Sequence, residues 1–234
     1  IPSLFIAYLG ALLTFVSVYG VVYRTKKTIV RIAVILFSTL AINAYWLLPV
    51  LYYTATMKNV YPNSNLNLKL TQEFIERNRK YGDAKNVALI KGFIFDTTES
   101  PDSTKHVYAP WIAHQSHVPL SIIGYAFFAL VLLGLCTSIV VFKHWLSRAV
   151  IAVFLVYITG ITTDFPPFSW GSMLLQNFLP FYRDAFRTPF TKFAFGVAFS
   201  YGLLIAVAIA GLAVLLRQYI NKKLFQIIVA VLSL

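Results

Sequence analysis

Three basic side chains lie close together just before and inside the start of a long apolar stretch, in the sequence FYRDAFRTPFTKF at residues 181–193. They are Arg183, Arg187 and Lys192, and Asp184 is the only acidic residue among them. An arginine can bind a phosphate through a planar pair of N–H groups, and a lysine supplies a compact positive charge. These residue types therefore indicate anion binding.

The position of these cations along the chain strengthens that interpretation. Thr188 followed by Pro189 is typical of an N-cap and a first helical residue. Arg187 and Lys192 then lie at the positive end of a helix dipole, which disfavours each cation by roughly 0.3 to 1 kcal/mol at exposed sites. A bound anion would reverse that sign. The alternative is structural: basic side chains often extend to a membrane interface, and Asp184 could pair with an arginine.

The composition predicts a membrane protein with several crossings. Of 234 residues, 59% are hydrophobic and 12% are charged, and the mean hydropathy is +0.72. A helix crosses the apolar part of a bilayer in about 20 residues, and lone crossing segments must be helical to satisfy their backbone hydrogen bonds. The predicted fold class is an all-α transmembrane helix bundle. Five crossings are predicted, at 3–23, 29–57, 118–142, 145–163 and 188–216, with a truncated sixth from Leu224.

The charge distribution predicts the orientation. Three short connections, at 24–31, 143–148 and 217–223, hold nine basic residues and no acidic one, so they are expected on the cytoplasmic side. All eight Asp and Glu residues lie in 58–117 and 164–187, which are then external. Because most of the +12 charge belongs to inner loops, nucleic acid is not predicted as a partner.

The chain divides into residues 1–57 with two crossings, an external segment 58–117, and residues 118–234 with the remaining crossings. Neither end has the features of a complete chain, which suggests a fragment of a longer protein. In the external segment, Thr71 as N-cap and Gly82 as stop predict a short interfacial helix. The run NVALIKGFIF after it predicts either a strand or a buried extended piece.

The second external connection is unusual, because Pro166, Pro167 and Pro180 bracket an apolar helix too short to span. A re-entrant or interfacial helix is therefore predicted near 164–182, beside a cavity open to the outside. Asp164 is the catalytic candidate for that cavity, with helix capping as its alternative role. Asp96 and Glu99 are interpreted as residues of a solvated turn.

Two motifs resemble those of a known class of enzymes. FRTPFTKF at 186–193, with NAYWLLPVLYY at 43–53, is similar to polytopic glycosyltransferases of the GT-C class, namely YfhO-type membrane proteins and cell-wall arabinofuranosyltransferases. The resemblance implies transfer of a sugar from a polyprenyl-phosphate donor to a glycan or glycolipid acceptor on the outer membrane face. It implies that Arg187 and Lys192 contact the lipid-linked phosphate. That class usually carries its catalytic carboxylate in the first external loop, which this chain would then lack.

Other polar residues are given structural roles. His106, His114 and His117 lack a metal-ligand pattern, so neither a metal site nor a cofactor is predicted. Asn43 is expected to hydrogen-bond a neighbouring helix. Small residues at four-residue spacing, Gly196 with Ser200 and Gly202 with Ala206 and Ala210, predict two rows of close helix packing.

Two other functions remain open from the sequence. A transporter or flippase of a lipid-linked or anionic substrate would also use a broken helix beside a substrate path. A non-catalytic membrane subunit would use its external loop to hold a partner. Transporters often carry ionisable residues deep in their helices, and these crossings have almost none away from their ends, which favours the glycosyltransferase.

Overall fold

The computed structural model describes residues 2–57, 64–99, 104–178 and 180–217. These ranges contain helices and no strand, apart from an isolated bridge between Thr98 and His106, so the predicted all-α class is confirmed. The helices are α1 Pro2–Tyr23, α2 Lys26–Thr56, α3 Asn65–Tyr81, α4 Ala84–Ala88, α5 Ala109–Ser116, α6 Val118–Val140, α7 Trp145–Ile161, α8 Phe168–Phe178, α9 Pro180–Ala185 and α10 Pro189–Leu216. A 3-10 turn, Phe93–Asp96, lies between α4 and α5. The predicted sixth crossing from Leu224 lies outside the described residues.

Four of these helices, α1, α2, α6 and α10, are long and apolar enough to cross a membrane, as an integral membrane protein requires. Helix α7 is also apolar, but it has only 17 residues and is about 25 Å long at ~1.5 Å per residue. It packs between α1 and α10. The helices begin and end within a few residues of the predicted crossings, because apolar length and flanking charge are local signals.

Helix α10 is the centre of the bundle, since it packs against both α6 and α7. Its contact with α6 depends on glycine: a Cβ on Gly134 of α6 would overlap the backbone of Leu204. Further along, Gly211 lies against the side chain of Thr137. Absent side chains at these points let the two backbones approach closely, which favours dispersion contacts between membrane helices.

One of the two predicted small-residue rows is correct. Gly196 contacts the ring of Tyr157 on α7, and Ser200 is buried. The second row is wrong, because Gly202, Ala206 and Ala210 all face outward. The packed side of α10 instead includes Val197, Leu204 and Ala208, which are fully buried. Spacing alone could not separate the rows, since α10 is apolar on all sides.

The loop segment between α2 and α6 differs from its prediction in two places. Thr71 is not an N-cap, because α3 begins at Asn65 and continues through it. The predicted stop is correct, since α3 ends at Tyr81 before Gly82. The run NVALIKGFIF is neither strand nor extended, because it forms the end of α4 and the 3-10 turn. Asp83 caps α4 by accepting a hydrogen bond from the Asn86 N–H at 3.3 Å, a local preference that overrides the apolar pattern.

Two further predictions concern polar residues near helices. Asn43 bonds its own helix and not a neighbour: its amide donates to the Thr39 carbonyl at 2.8 Å and accepts from Trp46 Nε1 at 3.0 Å. These partners lie one turn away, so they are within reach before any other helix is. The predicted start of α10 is correct, with Thr188 at the N-cap and Pro189 at the first helical position.

The glycine contacts predict a difference between two alanine substitutions. Gly134→Ala should destabilise the protein by about 1–3 kcal/mol, because its methyl group would overlap the Leu204 backbone. Gly202→Ala is the matched control, since nothing lies within 4 Å of its Cβ position. Thermal unfolding in detergent measures both. Equal melting temperatures for the two variants would contradict this account of the α6–α10 contact.

Candidate functional site

The site lies where α3 packs on the end of α7 and the start of α10, and the buried side chain of Asn78 holds these elements together. Its amide nitrogen donates at 2.6 Å to the Phe74 carbonyl and at 2.6 Å to the Arg187 carbonyl. The backbone carbonyl of Asn78, and not its side chain, accepts a hydrogen bond from the Thr163 hydroxyl at 3.1 Å. One residue of α3 therefore joins both ends of the connection between α7 and α10.

A second contact fixes the C-terminal end of α3. The Asp164 N–H donates to the Gly82 carbonyl at 3.1 Å, and a Cβ on Gly82 would overlap Thr163. The glycine that ends α3 thus also permits the close approach of the two chain segments. Thr163 and Asp164 are therefore both held by hydrogen bonds to backbone carbonyls, and no ligand is needed to position them.

Between these elements lies a cavity of about 450 Å³, here called the main cavity. Its charged lining residues are Arg79 of α3, Arg183 of α9, Arg187 before α10, and Asp164 after α7. Among the side chains described, three guanidinium groups thus line the cavity with one carboxylate, and this part of the lining has a net positive charge. The pattern suits an anion with several oxygen atoms, because arginine presents its N–H groups as a planar fork.

Helix α8 forms one wall, with its polar side turned inward. Ser169 and Ser172 are buried and line the cavity, whereas Trp170 is 63% exposed and Phe178 is 74% exposed. This is the reverse of a helix in a water-soluble protein, whose apolar stripe faces the core. A polar face against a cavity and an apolar face outward fit a helix that separates the cavity from lipid. The predicted short helix between the prolines is therefore present, as α8.

The arginines differ in their contacts. The Arg183 guanidinium donates to Gln72 Oε1 at 2.9 Å, and the Arg187 guanidinium lies 5.7 Å from the centre of the Phe74 ring. Within the described ranges, the guanidinium of Arg79 makes neither an ion pair nor a hydrogen bond, and Asp164 makes no ion pair. At least one cation at the cavity therefore keeps its full capacity for an anionic ligand.

Stacked aromatic rings form part of the wall of the main cavity. Tyr182 stacks on Phe186 with 4.6 Å between ring centroids, and Phe186 stacks on Phe193 at 5.3 Å. Burial raises the pKa of Tyr182 above its ordinary value, and a hydrogen bond with Ser172 opposes that shift. The phenol is consequently neutral at ordinary pH and adds no negative charge to the arginine cluster.

The sequence predictions for this site have different outcomes. Arg183, Arg187 and Asp164 line the main cavity together. Lys192 is half-buried in the first turn of α10 and lines no cavity described here, so its phosphate contact stays a prediction. Asp164 does not cap α8, which begins four residues later, at Phe168. The side chain of Asp184 lies outside what the structure describes.

Arg79 is the residue that sequence reasoning missed. It belongs to the basic end of α3, and basic residues there are a common feature of helix C-termini that by itself indicates no binding site. A helical register would have placed Arg79 beside Ile75 and Asn78 on one face, but not opposite Arg183. The two arginines line the same cavity because of where α3 lies relative to α9, and no local sequence pattern encodes that position.

The histidines of the loop segment lie outside the main cavity, and they do not form one cluster. His106 Nδ1 lies 3.5 Å from Asp96 Oδ1, and the Tyr81 hydroxyl donates to Asp96 Oδ2 at 2.7 Å. His114 is on α5 and stacks on Trp111, and His117 lies at the junction of α5 and α6. Among the residues the structure describes, no group of three His, Cys, Asp or Glu side chains could hold a metal ion. Asp96, which the sequence placed in a solvated turn, instead connects α3 to the 3-10 turn and the segment around residue 106.

In the part of the chain that the structure describes, the fold and site define an all-α protein with four helices able to span a membrane and a positively charged cavity at one end of them. Comparison of the chain with family models, with curated proteins and with solved structures finds no match. The function therefore has to be inferred from the cavity itself.

The hydrogen bonds of the Asn78 side chain predict that its removal lowers the stability of the protein. Asn78→Ala should destabilise the protein by about 1–3 kcal/mol, because it leaves the Arg187 carbonyl in a partly buried position without its donor. Thermal unfolding in detergent measures the loss. Gln115→Ala removes an amide from α5, outside the main cavity, and should cost far less; an equal cost for both would contradict the role given to Asn78.

The hydrogen bond between Tyr81 and Asp96 should stabilise the protein by an amount that depends on pH. Burial, and then the hydrogen bond and negative charge of Asp96, raise the pKa of Tyr81 above its ordinary value of about 10. The unfolded chain then loses this proton before the folded one does. The stabilising contribution of Tyr81 is fully present below about pH 10 and falls as the pH rises further.

The test compares Tyr81→Phe with the unchanged protein. At about pH 8 the variant should be less stable by about 1 kcal/mol. This is less than the roughly 1.5–3 kcal/mol expected of a hydrogen bond to a charged group, because the Asp96 carboxylate is partly exposed to solvent. The difference in melting temperature should shrink at about pH 11. A difference that stays constant over this range would overturn the interpretation.

Proposed function

We propose that this chain binds the phosphate of a lipid-linked sugar and is the donor-binding part of a membrane glycosyltransferase. The donor is a polyprenyl-phosphate-linked sugar, and the acceptor is a glycan or glycolipid. The observation that carries the proposal is the meeting of Arg79 and Arg183, from distant parts of the chain, on one cavity with Arg187. Positive charge of this density disfavours the free state and favours a bound phosphate.

Lipid access supports a membrane-bound donor over a soluble one. Trp170 and Met173 line the main cavity and are also 63% and 56% exposed on α8. A phosphate held by the arginines could therefore extend a hydrocarbon chain past α8 into the membrane. An aromatic residue such as Trp170 is favoured at the boundary between polar head groups and apolar chains.

The charge distribution supports a position of the cavity on the outer face of the membrane. The connections 24–31 and 143–148 at the opposite ends of the spans are basic, and all acidic residues belong to the segments at the cavity end. The positive-inside rule then puts the cavity outside. Cytoplasmic anionic lipid would not reach it, which leaves an externally exposed lipid phosphate as the ligand.

The transfer assigns separate roles to the charged groups. An acceptor hydroxyl attacks the anomeric carbon, the bond from that carbon to the phosphate oxygen breaks, and the polyprenyl phosphate leaves. The arginines stabilise the charge that develops on the leaving phosphate. Among the side chains that the structure describes, Asp164 is the carboxylate that lines the main cavity, and we assign to it the role of accepting the proton of the acceptor hydroxyl.

Two charge-removing variants test the proposal. Arg79→Gln and Arg183→Gln should each weaken binding of a polyprenyl phosphate to the purified protein by roughly 10- to 100-fold, since each removes a charge-assisted hydrogen bond. Equilibrium binding in detergent with a labelled lipid gives the dissociation constants. Lys192→Gln should have a smaller effect, because Lys192 does not line the cavity.

Arg77→Gln is the matched control. Arg77 lies on α3 like Arg79, but it pairs with Glu73 at 3.0 Å and does not line the cavity. The control removes the same charge from the same helix and should leave lipid affinity within about twofold. Unchanged affinity in both Arg79→Gln and Arg183→Gln, or an equal loss in Arg77→Gln, would count against a phosphate site in this cavity.

A further inference from the structure

A smaller cavity of about 230 Å³, here called the side cavity, adjoins the main cavity. The two share four lining residues, namely Ile75, Arg79, Gln176 and Arg183. The side cavity adds Gln72 of α3 and Asn177 of α8. Arg79 and Arg183 therefore stand at the boundary between two spaces of different character.

The linings of the two spaces differ in chemistry. The main cavity contains aromatic and apolar side chains, among them Trp170, Met173 and Phe186. The side cavity has three amide side chains, two guanidinium groups and a single apolar residue, with neither an aromatic ring nor a carboxylate among its lining residues. Amides both donate and accept hydrogen bonds, as a ligand hydroxyl group also does.

Hydrogen bonds within the site orient two of the three amides. Gln72 Nε2 donates to Glu76 Oε1 at 2.8 Å while Gln72 Oε1 accepts from Arg183. Gln176 Nε2 donates to Ser172 Oγ at 3.3 Å, which leaves its carbonyl oxygen as the acceptor available to a ligand. Fixed amides lose less rotational freedom on binding, so this arrangement is partly preorganised for hydroxyl groups.

We propose that the side cavity is a subsite for the hydroxyl-bearing head group of the lipid phosphate. The phosphate lies between Arg79 and Arg183, the hydroxyl groups bond Gln176 and Asn177, and the hydrocarbon chain leaves past Trp170. This inference rests on the proposed function and assigns the residues that recognise the sugar. At about 30 Å³ for each water, the side cavity has room for about eight waters, which is enough for about one sugar ring.

The test compares two lipids on the full chain in detergent: a polyprenyl phosphate, and the same lipid phosphate carrying one glucose residue. The unchanged protein should bind the glycosylated lipid roughly tenfold more tightly, because two added hydrogen bonds favour it. In a double variant, Gln176→Met with Asn177→Leu, this preference should fall below about twofold. Affinity for the bare polyprenyl phosphate should fall much less than affinity for the glycosylated lipid, since both arginines remain although Gln176 also lines the main cavity.

Gln115→Met is the matched control, because it removes an amide that lies outside both cavities, and it should keep the preference. If the unchanged protein binds both lipids equally well, the side cavity is not a head-group subsite, and the proposed phosphate site stands. If it binds neither lipid, the proposed function itself fails. Loss of both lipids in the double variant, with normal elution on size exclusion, would overturn the assignment of Gln176 and Asn177 to the head group.

A phospholipid pair separates two sources of a hydroxyl-bearing head group. Phosphatidylinositol also carries a ring of hydroxyl groups on a lipid phosphate, and phosphatidic acid lacks it. A preference for the glycosylated polyprenyl phosphate that exceeds any preference for phosphatidylinositol supports the proposal. A preference for phosphatidylinositol over phosphatidic acid, without discrimination between the polyprenyl lipids, would overturn it.

Discussion

The hydrogen bonds of Asn78 are the constraint on which the cavity depends. The buried side-chain amide of Asn78 donates to the backbone carbonyl of Arg187, just before α10. The backbone carbonyl of Asn78 accepts from the hydroxyl of Thr163, just after α7. These two segments are the ends of the connection that contains α8 and α9. Because a buried polar group without a partner costs about 1–3 kcal/mol, these hydrogen bonds favour this arrangement of the three elements. The arginines of α3 and α9 face each other as a result.

Helix α8 has its polar face inward and its apolar face outward, an arrangement that suits lipid better than water. In water, its apolar residues would be buried and its serines exposed. Here Ser169 and Ser172 are buried, and Trp170, Leu174 and Phe178 are outside. With lipid as the outer solvent, the favourable place for a polar face is a cavity lined by protein. Thus the same helix closes a positively charged space and offers a hydrocarbon chain an apolar surface.

The accuracy of sequence prediction varied with the range of the interactions involved. The start of α10 at Pro189 and the end of α3 before Gly82 were predicted correctly, since caps and stops are local signals. The run after α3 was misassigned because its apolar pattern suits several structures, and a capping bond from Asp83 selected a helix. The outward-facing row at Gly202 was misassigned because spacing alone does not show which side of an apolar helix packs.

The sequence alone determined the all-α class, the approximate ends of the crossings and the presence of cations near the start of α10. Each follows from residues near one another in the chain: apolar length, capping groups and charge. Only the tertiary structure brought Arg79 to Arg183 and divided the space beside them into an aromatic part and an amide-lined part. Such a site is formed by segments far apart in the chain, and their meeting depends on the packing of α7 on α10 and on the hydrogen bonds that join α3 to the connection between them, which no local pattern specifies.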